Sequence, residues 1–177
     1  MAEPDPAATI LEMKLATQDF RRLIDVATAV DMRRPSHGTR WTNRQLLFHM
    51  LLGYLIVRAL LIIARAFGRL PAWPSTMFAR LLDSVRGPFH LVNYLGSCAG
   101  ALIIPPSRMP AMLDRATGSL EHRLRHETET ALRRGMHYPT TWDPGFTTYM
   151  TLADIYRFPT THYQFHRQQL TVPGLGH

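Results

Sequence analysis

The sequence predicts an all-α fold: an up-down four-helix bundle with a helical insert between the second and third long helices. Three observations predict it. Apolar residues recur with the helical period over most of the 177 residues. Two helix-start signals, Thr42-x-x-Gln45 and Thr151-x-x-Asp154, precede long apolar-periodic segments. No segment alternates with the period of two that a half-buried strand requires. A chain of this length fits one domain with a sizeable core. We place a single bundle domain over 1–177, with a disordered tail at 1–8, an insert at 71–106 and a C-terminal tail at 171–177.

The first helix is expected over about 9–33, carried by Ile10, Leu11, Met13, Phe20, Leu23, Ile24 and Val26 and ended by Pro35 and Gly38. The second opens at Thr42, whose hydroxyl takes an orphan backbone N–H while Gln45 reaches back to another. Trp41 sits where a hydrophobic staple would. This helix runs to about Ala66, and Gly68 and Pro71 end it. The insert contains five prolines and is split at Gly87-Pro88. Two short helices are expected there, over about 75–86 and 88–103. Ser107 is expected to cap a third long helix over 108–134, and Gly135 to stop it. A loop follows, and the fourth helix runs from Thr151 to about Leu170. Pro159 lies inside it, and a kink or break is expected near Phe158 because proline removes a hydrogen bond and clashes with the preceding turn.

Composition narrows the function classes. The chain is 46% hydrophobic and 19% charged, a globular balance. The net charge of +7 rests on arginines spread along the chain, with Lys14 the one lysine. No basic run and no aromatic-basic interleaving points to nucleic acid. The single cysteine, Cys98 in LGSCAGAL, excludes an internal disulfide, suits a reducing cytoplasm and reads as a small buried hydrophobe. The acidic, Pro-rich N-terminus is not read as a signal peptide. The apolar run 46–67 is interrupted by His49, Arg58 and Arg65, so a core helix is expected there and no membrane span.

Nine histidines are many for this length, and two pairs have i,i+4 spacing. His122 and His126 fall off the apolar stripe of their helix and are expected to face water. His162 and His166 share a stripe with Ile155, Phe158 and Gln169, which begins apolar and should face the bundle. Buried histidines without partners are costly, at about 1–3 kcal/mol each. Packed core histidines with ordinary hydrogen bonds are one reading. A shared metal ion is the other, since HxxxH on a helix presents two imidazoles to one cation. His49, among Leu46, Leu52 and Gly53, is also core-facing. On a neighbouring helix it would complete a three-histidine set with open coordination positions, the mark of a reactive site.

The segments W-T-x-x-x-L-L-x-H, Trp41 to His49, and H-x-x-x-H-R-x-Q, His162 to Gln169, resemble the DinB-like (DinB/YfiT-like) superfamily. The resemblance implies a four-helix bundle, often a homodimer, holding a divalent metal, zinc or nickel among others, through His49, His162 and His166. Some members are thiol S-transferases that use mycothiol or bacillithiol, so a low-molecular-weight thiol co-substrate and a small-molecule substrate are implied. On such a centre a thiol would be activated as thiolate, and water would serve hydrolysis instead. Arg157 and Arg167 are candidates for receiving substrate carboxylates. Tyr156, Asp143 and Asp154 are candidates for supporting roles, with helix capping the simpler role of Asp154. Thiol transfer is the first expectation. Metal-dependent hydrolysis is the second, and a non-catalytic bundle that binds a ligand or partner is the third.

Overall fold

The computed structural model describes residues 4–172. Its four long helices are α1 (Pro6–Val26), α3 (Asn43–Phe67), α6 (Met109–Arg125) and α8 (Leu152–Arg167). The short α2 (Ala29–Arg33), α7 (Glu129–Leu132) and the insert helices α4 (Ala72–Ser84) and α5 (Arg86–Ile103) complete the helical part. Two three-residue strands, β1 (Gly135–His137) and β2 (Tyr149–Thr151), pair antiparallel with Met136 opposite Met150. The bundle and its helical insert stand as the sequence predicts.

The cross-helix pairs give the direction of each long helix. Glu12 meets Arg157 and Asp19 meets Arg167, so α1 and α8 run parallel. Lys14 meets Glu121 and Arg21 meets Asp114, so α1 and α6 run antiparallel. Tyr54 meets Thr160 and Arg65 meets Tyr156, so α3 and α8 run antiparallel. The order is therefore up-down-down-up, which corrects the expected strict alternation. The insert is the reason. Phe78 of α4 stacks on Phe67 at the end of α3, while Leu102 of α5 accepts a hydrogen bond from Arg44 near its start. Together α4 and α5 carry the chain back along α3, so α6 starts at the same end as α3 and runs the same way.

The core fills the space between these helices. Phe20 and Leu23 of α1, Leu46, Leu51 and Leu61 of α3, Leu113 and Leu120 of α6 and Tyr156 of α8 have no exposed surface. Each full burial of a large apolar side chain contributes about 1.5–3 kcal/mol. α3 is long and apolar enough to cross a membrane, with a mean hydropathy of 2.3 in its most apolar window, but half of that window is buried in the protein. That buried half packs into the bundle core, while Ile56 and Ile62 stay exposed.

Local chemistry explains the remaining departures from expectation. The first helix ends at Val26 because Thr28 and Asp31 form a capping box of their own and start α2. Asp5 caps α1, accepting from Ala8 N at 2.9 Å, so the helix begins inside the expected N-terminal tail. Residues 1–3 and 173–177 of the expected tails lie outside the described residues. Ser107 does not cap α6; it lies in a 3-10 turn, and Pro110 occupies the first turn of α6, where a missing N–H costs little. The third long helix stops at Arg125, and Thr128 caps the separate α7. Pro88 falls in the first turn of α5 and Pro74 in that of α4, so both helices start earlier than the prolines suggest. Helix α8 runs through Pro159 without a break, ending at Arg167. Phe158, Pro159 and Thr160 are all buried against the bundle, and that packing outweighs the lost hydrogen bond. The two strands were too short to show any alternation.

Candidate metal centre

Three histidines from two helices meet where α3 and α8 cross. His49 lies seven residues after the Thr42 cap, and the helical period turns it toward α8. His162 and His166 lie one turn apart on the face of α8 that meets α3. The three rings are mutually edge-on, with centroids 4.8 Å (His49–His162), 4.7 Å (His49–His166) and 4.5 Å (His162–His166) apart. One nitrogen from each ring lies within 4.8 Å of the other two. All three are buried, with relative exposures of 5%, 5% and 7%. Gly53, one turn after His49, makes this approach possible. A Cβ there would lie 2.9 Å from Cδ2 of His162.

Every ring is held at its outer nitrogen. His162 Nδ1 donates to Asp143 Oδ2 at 2.8 Å. His166 Nδ1 donates to Gln169 Oε1 at 2.7 Å. His49 Nδ1 lies 3.2 Å from Ser97 Oγ. The Ser97 hydroxyl proton is already given to the Asn93 carbonyl at 2.8 Å, so Ser97 Oγ accepts and His49 Nδ1–H donates. The three outer partners therefore fix one tautomer in each ring, with the lone pair on the inner Nε2. His162 Nε2 is buried and has no hydrogen-bond partner among the described residues. An orphaned buried nitrogen is rare, and here it points to a missing ligand. The donor set, three imidazole nitrogens with a carboxylate behind one of them, suits a divalent ion such as zinc or nickel. The residues fit the group that the resemblance implies.

Electrostatics agree with neutral ligands. Burial first, and then the neighbouring His162 and His166, push the His49 imidazole down to about 2. Burial and His162 push His166 down to about 4, against the Gln169 hydrogen bond. Burial works to raise the Asp143 carboxyl, but its hydrogen bond to His162, the His162 charge, the Gly145 N–H and His166 together outweigh this and hold it below the usual carboxylate range. A pH prediction follows for the metal-free protein. His49 and His166 take up protons near pH 6.5 when unfolded but not when folded. Their contribution to stability is intact above pH 6.5 and declines as pH falls, by about 1.4 kcal/mol per unit for each histidine that stays neutral in the fold. Thermal melts of the metal-free chain should drop steadily from pH 6.5 to 4, and less so for a His49→Gln/His166→Gln variant. Equal slopes for the two proteins would contradict the assignment.

A pocket of about 200 Å³ opens beside the centre, with His49, Gly53, Asp143 and His162 in its wall. The rest of the wall is mostly apolar and aromatic, from α3 (Leu52, Ile56, Leu60), the insert (Phe78, Leu82, Phe89) and the 138–148 loop (Tyr138, Trp142, Phe146). That loop is pinned to the insert: Trp142 stacks on Phe89 at 3.7 Å and donates from Nε1 to Leu82 O at 3.0 Å. On the other side, Trp41 stacks on His49 at 4.4 Å.

The other candidates lie elsewhere. Around α8, Tyr156, Arg157 and Arg167 are all roughly 120–140° from the His162 direction. Arg157 pairs with Glu12, Arg167 with Asp19, and Tyr156 hydrogen-bonds Glu127 and Arg65. None of the three lines the pocket. Asp154 caps α8 with Thr151. Exposed His122 and His126 stand apart from the centre, as their phase on α6 predicts. Ser97 and Gln169 are the partners that sequence reasoning did not assign. Gln169 was visible three residues after His166, whereas Ser97 carries no local signal.

Fold and site together define a four-helix bundle with a buried three-histidine centre, of the kind that holds a divalent metal. No family model and no curated protein matches the chain. Among solved structures it is similar to YfiT from Bacillus subtilis, described as a probable metal-dependent hydrolase with an unusual four-helix bundle topology. The TM-score is 0.61 and the identity 17%, over 97% of this chain and 88% of that chain. The likeness shows that the chain has the YfiT fold.

Proposed function

We propose that this chain is a divalent-metal-dependent enzyme acting on a small, uncharged substrate, with hydrolysis as its reaction. The observation that carries the reading is the convergence of three imidazoles whose outer nitrogens are all committed, leaving an unpartnered Nε2 inside. His49, His162 and His166 would hold the ion. When bound, a divalent ion supplies Lewis-acid activation of a water or a thiol. Asp143 keeps His162 in the ligating tautomer and raises its basicity. The apolar wall excludes bulk water and strengthens electrostatic interactions within the site. The YfiT likeness supports hydrolysis as well, since that protein is described as a probable metal-dependent hydrolase.

Thiol S-transfer is the second reading, on the same ligand set. It is placed second because, among the described residues, no arginine or lysine lines the pocket to meet the carboxylates of a thiol such as bacillithiol. Arg157 and Arg167, the candidates for that task, are paired on other faces. Exposed apolar residues on the insert, including Trp73, Met77, Leu81 and Leu102, support association as a homodimer. The lone Cys98 supports a reducing, cytoplasmic setting.

The test is a panel of neutral aryl and alkyl esters and amides, assayed with zinc- or nickel-loaded protein, with and without mycothiol or bacillithiol. Hydrolysis that is thiol-independent and absent in His166→Ala supports the proposal. Turnover only with thiol would make transfer the reaction. Equal turnover in the wild type and His166→Ala would overturn the metal-dependent reading.

A further inference from the structure

The face of α5 that meets the pocket carries a polar side chain that the fold does not use. Phe89, Asn93 and Ser97 follow one another at four-residue steps, so the helical period puts them on one stripe with Asn93 in the middle. Its two neighbours show where the stripe points. Phe89 stacks on Trp142 of the pocket wall at 3.7 Å, and Ser97 Oγ lies 3.2 Å from His49 Nδ1. Asn93 itself lines the pocket. Its backbone carbonyl accepts from Ser97 Oγ at 2.8 Å, which ties the residue to the His49 ring. Its side-chain amide has no hydrogen-bond partner among the described residues. The residue is half-buried, yet neither Oδ1 nor Nδ2 is shut away from the molecular surface. Position on the helix and accessible surface together aim a free amide into the pocket, one turn of α5 from the contact with His49.

The rest of the wall says what that amide would meet. Phe78, Phe89, Trp142, Phe146 and Phe158 supply aromatic surface, and among the described residues no arginine or lysine is present. The carboxylate in the wall, Asp143, is engaged with His162 and repels an anion. A volume of about 200 Å³ suits a substituted aromatic ring, since an apolar cavity of roughly 150 Å³ already takes benzene. The asparagine amide offers N–H donors and a carbonyl acceptor side by side, and a ligand carboxamide offers the complementary pair.

We infer that this pocket takes a neutral aromatic carboxamide, whose amide group pairs with the side chain of Asn93. This deepens the proposed function by naming the substrate class and rests on it for the reaction that follows, but the binding itself requires no metal. Asn93 is a specificity-determining residue in this account. The aromatic wall holds the ring of the ligand, and Asn93 selects the substituent, because a hydrocarbon of the same shape leaves the amide unpaired inside the pocket.

The test titrates metal-free protein by calorimetry with three probes of one shape: benzamide, α-methylstyrene and benzoate. Asn93→Leu keeps the shape of the side chain and removes its amide. It is expected to weaken benzamide by about three- to tenfold, the worth of one net hydrogen bond, and to leave α-methylstyrene bound as before or more tightly. Asn93→Asp should also weaken benzamide and should bind benzamidinium more tightly than the wild type does, because the new carboxylate meets the same edge of the ligand. Benzoate should bind the wild type more weakly than benzamide. Equal weakening of both neutral probes in Asn93→Leu, weakening of neither, benzoate binding tightest, or no binding of benzamide up to its solubility limit would each overturn the inference. His166→Ala separates this from the metal reading, because His166 is a candidate ligand but does not line the pocket. That variant should keep the benzamide affinity of the wild type and lose zinc binding. Zinc binding in the wild type without any effect of Asn93→Leu on benzamide would sink the pocket inference alone. Benzamide binding that depends on Asn93, without zinc binding, would sink the metal reading alone.

Discussion

Alanine in place of Asp143 is expected to weaken zinc binding by about 10- to 100-fold, the usual effect of removing a carboxylate behind a ligating histidine. Asp143 Oδ2 accepts the His162 Nδ1 proton at 2.8 Å, and Oδ1 accepts the Gly145 N–H at 2.7 Å. The backbone contact fixes the carboxylate, and the carboxylate fixes the ring. Without it, His162 can place its proton on Nε2, and a protonated Nε2 has no lone pair for an ion. Competition against a chelator of known affinity measures the change, with circular dichroism to show that the helices persist. Asp143→Asn keeps an acceptor of similar shape without the charge, and its loss should be smaller. A loss under about threefold for Asp143→Ala would show that packing against Gly53 and Phe158 orients the ring instead.

Gly135→Ala is expected to destabilise the protein by about 3 kcal/mol, at the upper end of overpacking costs. A Cβ at Gly135 would lie 2.1 Å from Met150 O and 2.7 Å from Thr151 Cα. Both are backbone atoms of the paired strand, so no side chain can move to relieve the clash. The consequence reaches the site. β1 and β2 hold the two ends of the 138–148 loop, which carries Tyr138, Trp142 and Asp143, and β2 leads into the Thr151 cap of α8. Urea midpoints would show the loss, and zinc affinity should fall with it. Gly118→Ala is the control. It lies in α6, with nothing within 4 Å of its added Cβ, and should stabilise by about 0.5–1 kcal/mol. Similar effects at the two positions would mean that the β1–β2 pairing is not tight.

The parts of this fold written in local chemistry were legible. The Thr42–Gln45 and Thr151–Asp154 boxes lie within one turn of sequence, and both open the helices they announce. Phase alone separated the exposed pair His122 and His126 from the buried pair His162 and His166. The same reasoning placed His49 opposite the second pair, on a neighbouring helix. The Thr28–Asp31 box was equally local, but the apolar period ran on across it and hid the end of α1. What stayed hidden depends on distant contacts. The parallel course of α3 and α6 follows from where α4 and α5 lie on α3, which no local pattern states. Ser97 sits in a small-residue stretch of the insert and meets His49 across 48 positions. The misplaced candidates teach the converse. Arg157, Arg167 and Tyr156 are near the histidines in sequence, yet the 100° step per residue turns them toward α1 and the Arg65–Glu127 pair.

The central claim is that His49, His162 and His166 form one divalent-metal site. The most direct measurement is the metal content of the purified, tag-free protein by elemental analysis, beside a His162→Ala/His166→Ala variant. The account predicts about one divalent ion per chain in the wild type and none in the variant, with helical content retained in both. No retained ion in the wild type, even after incubation with zinc or nickel, would contradict it and leave three packed core histidines.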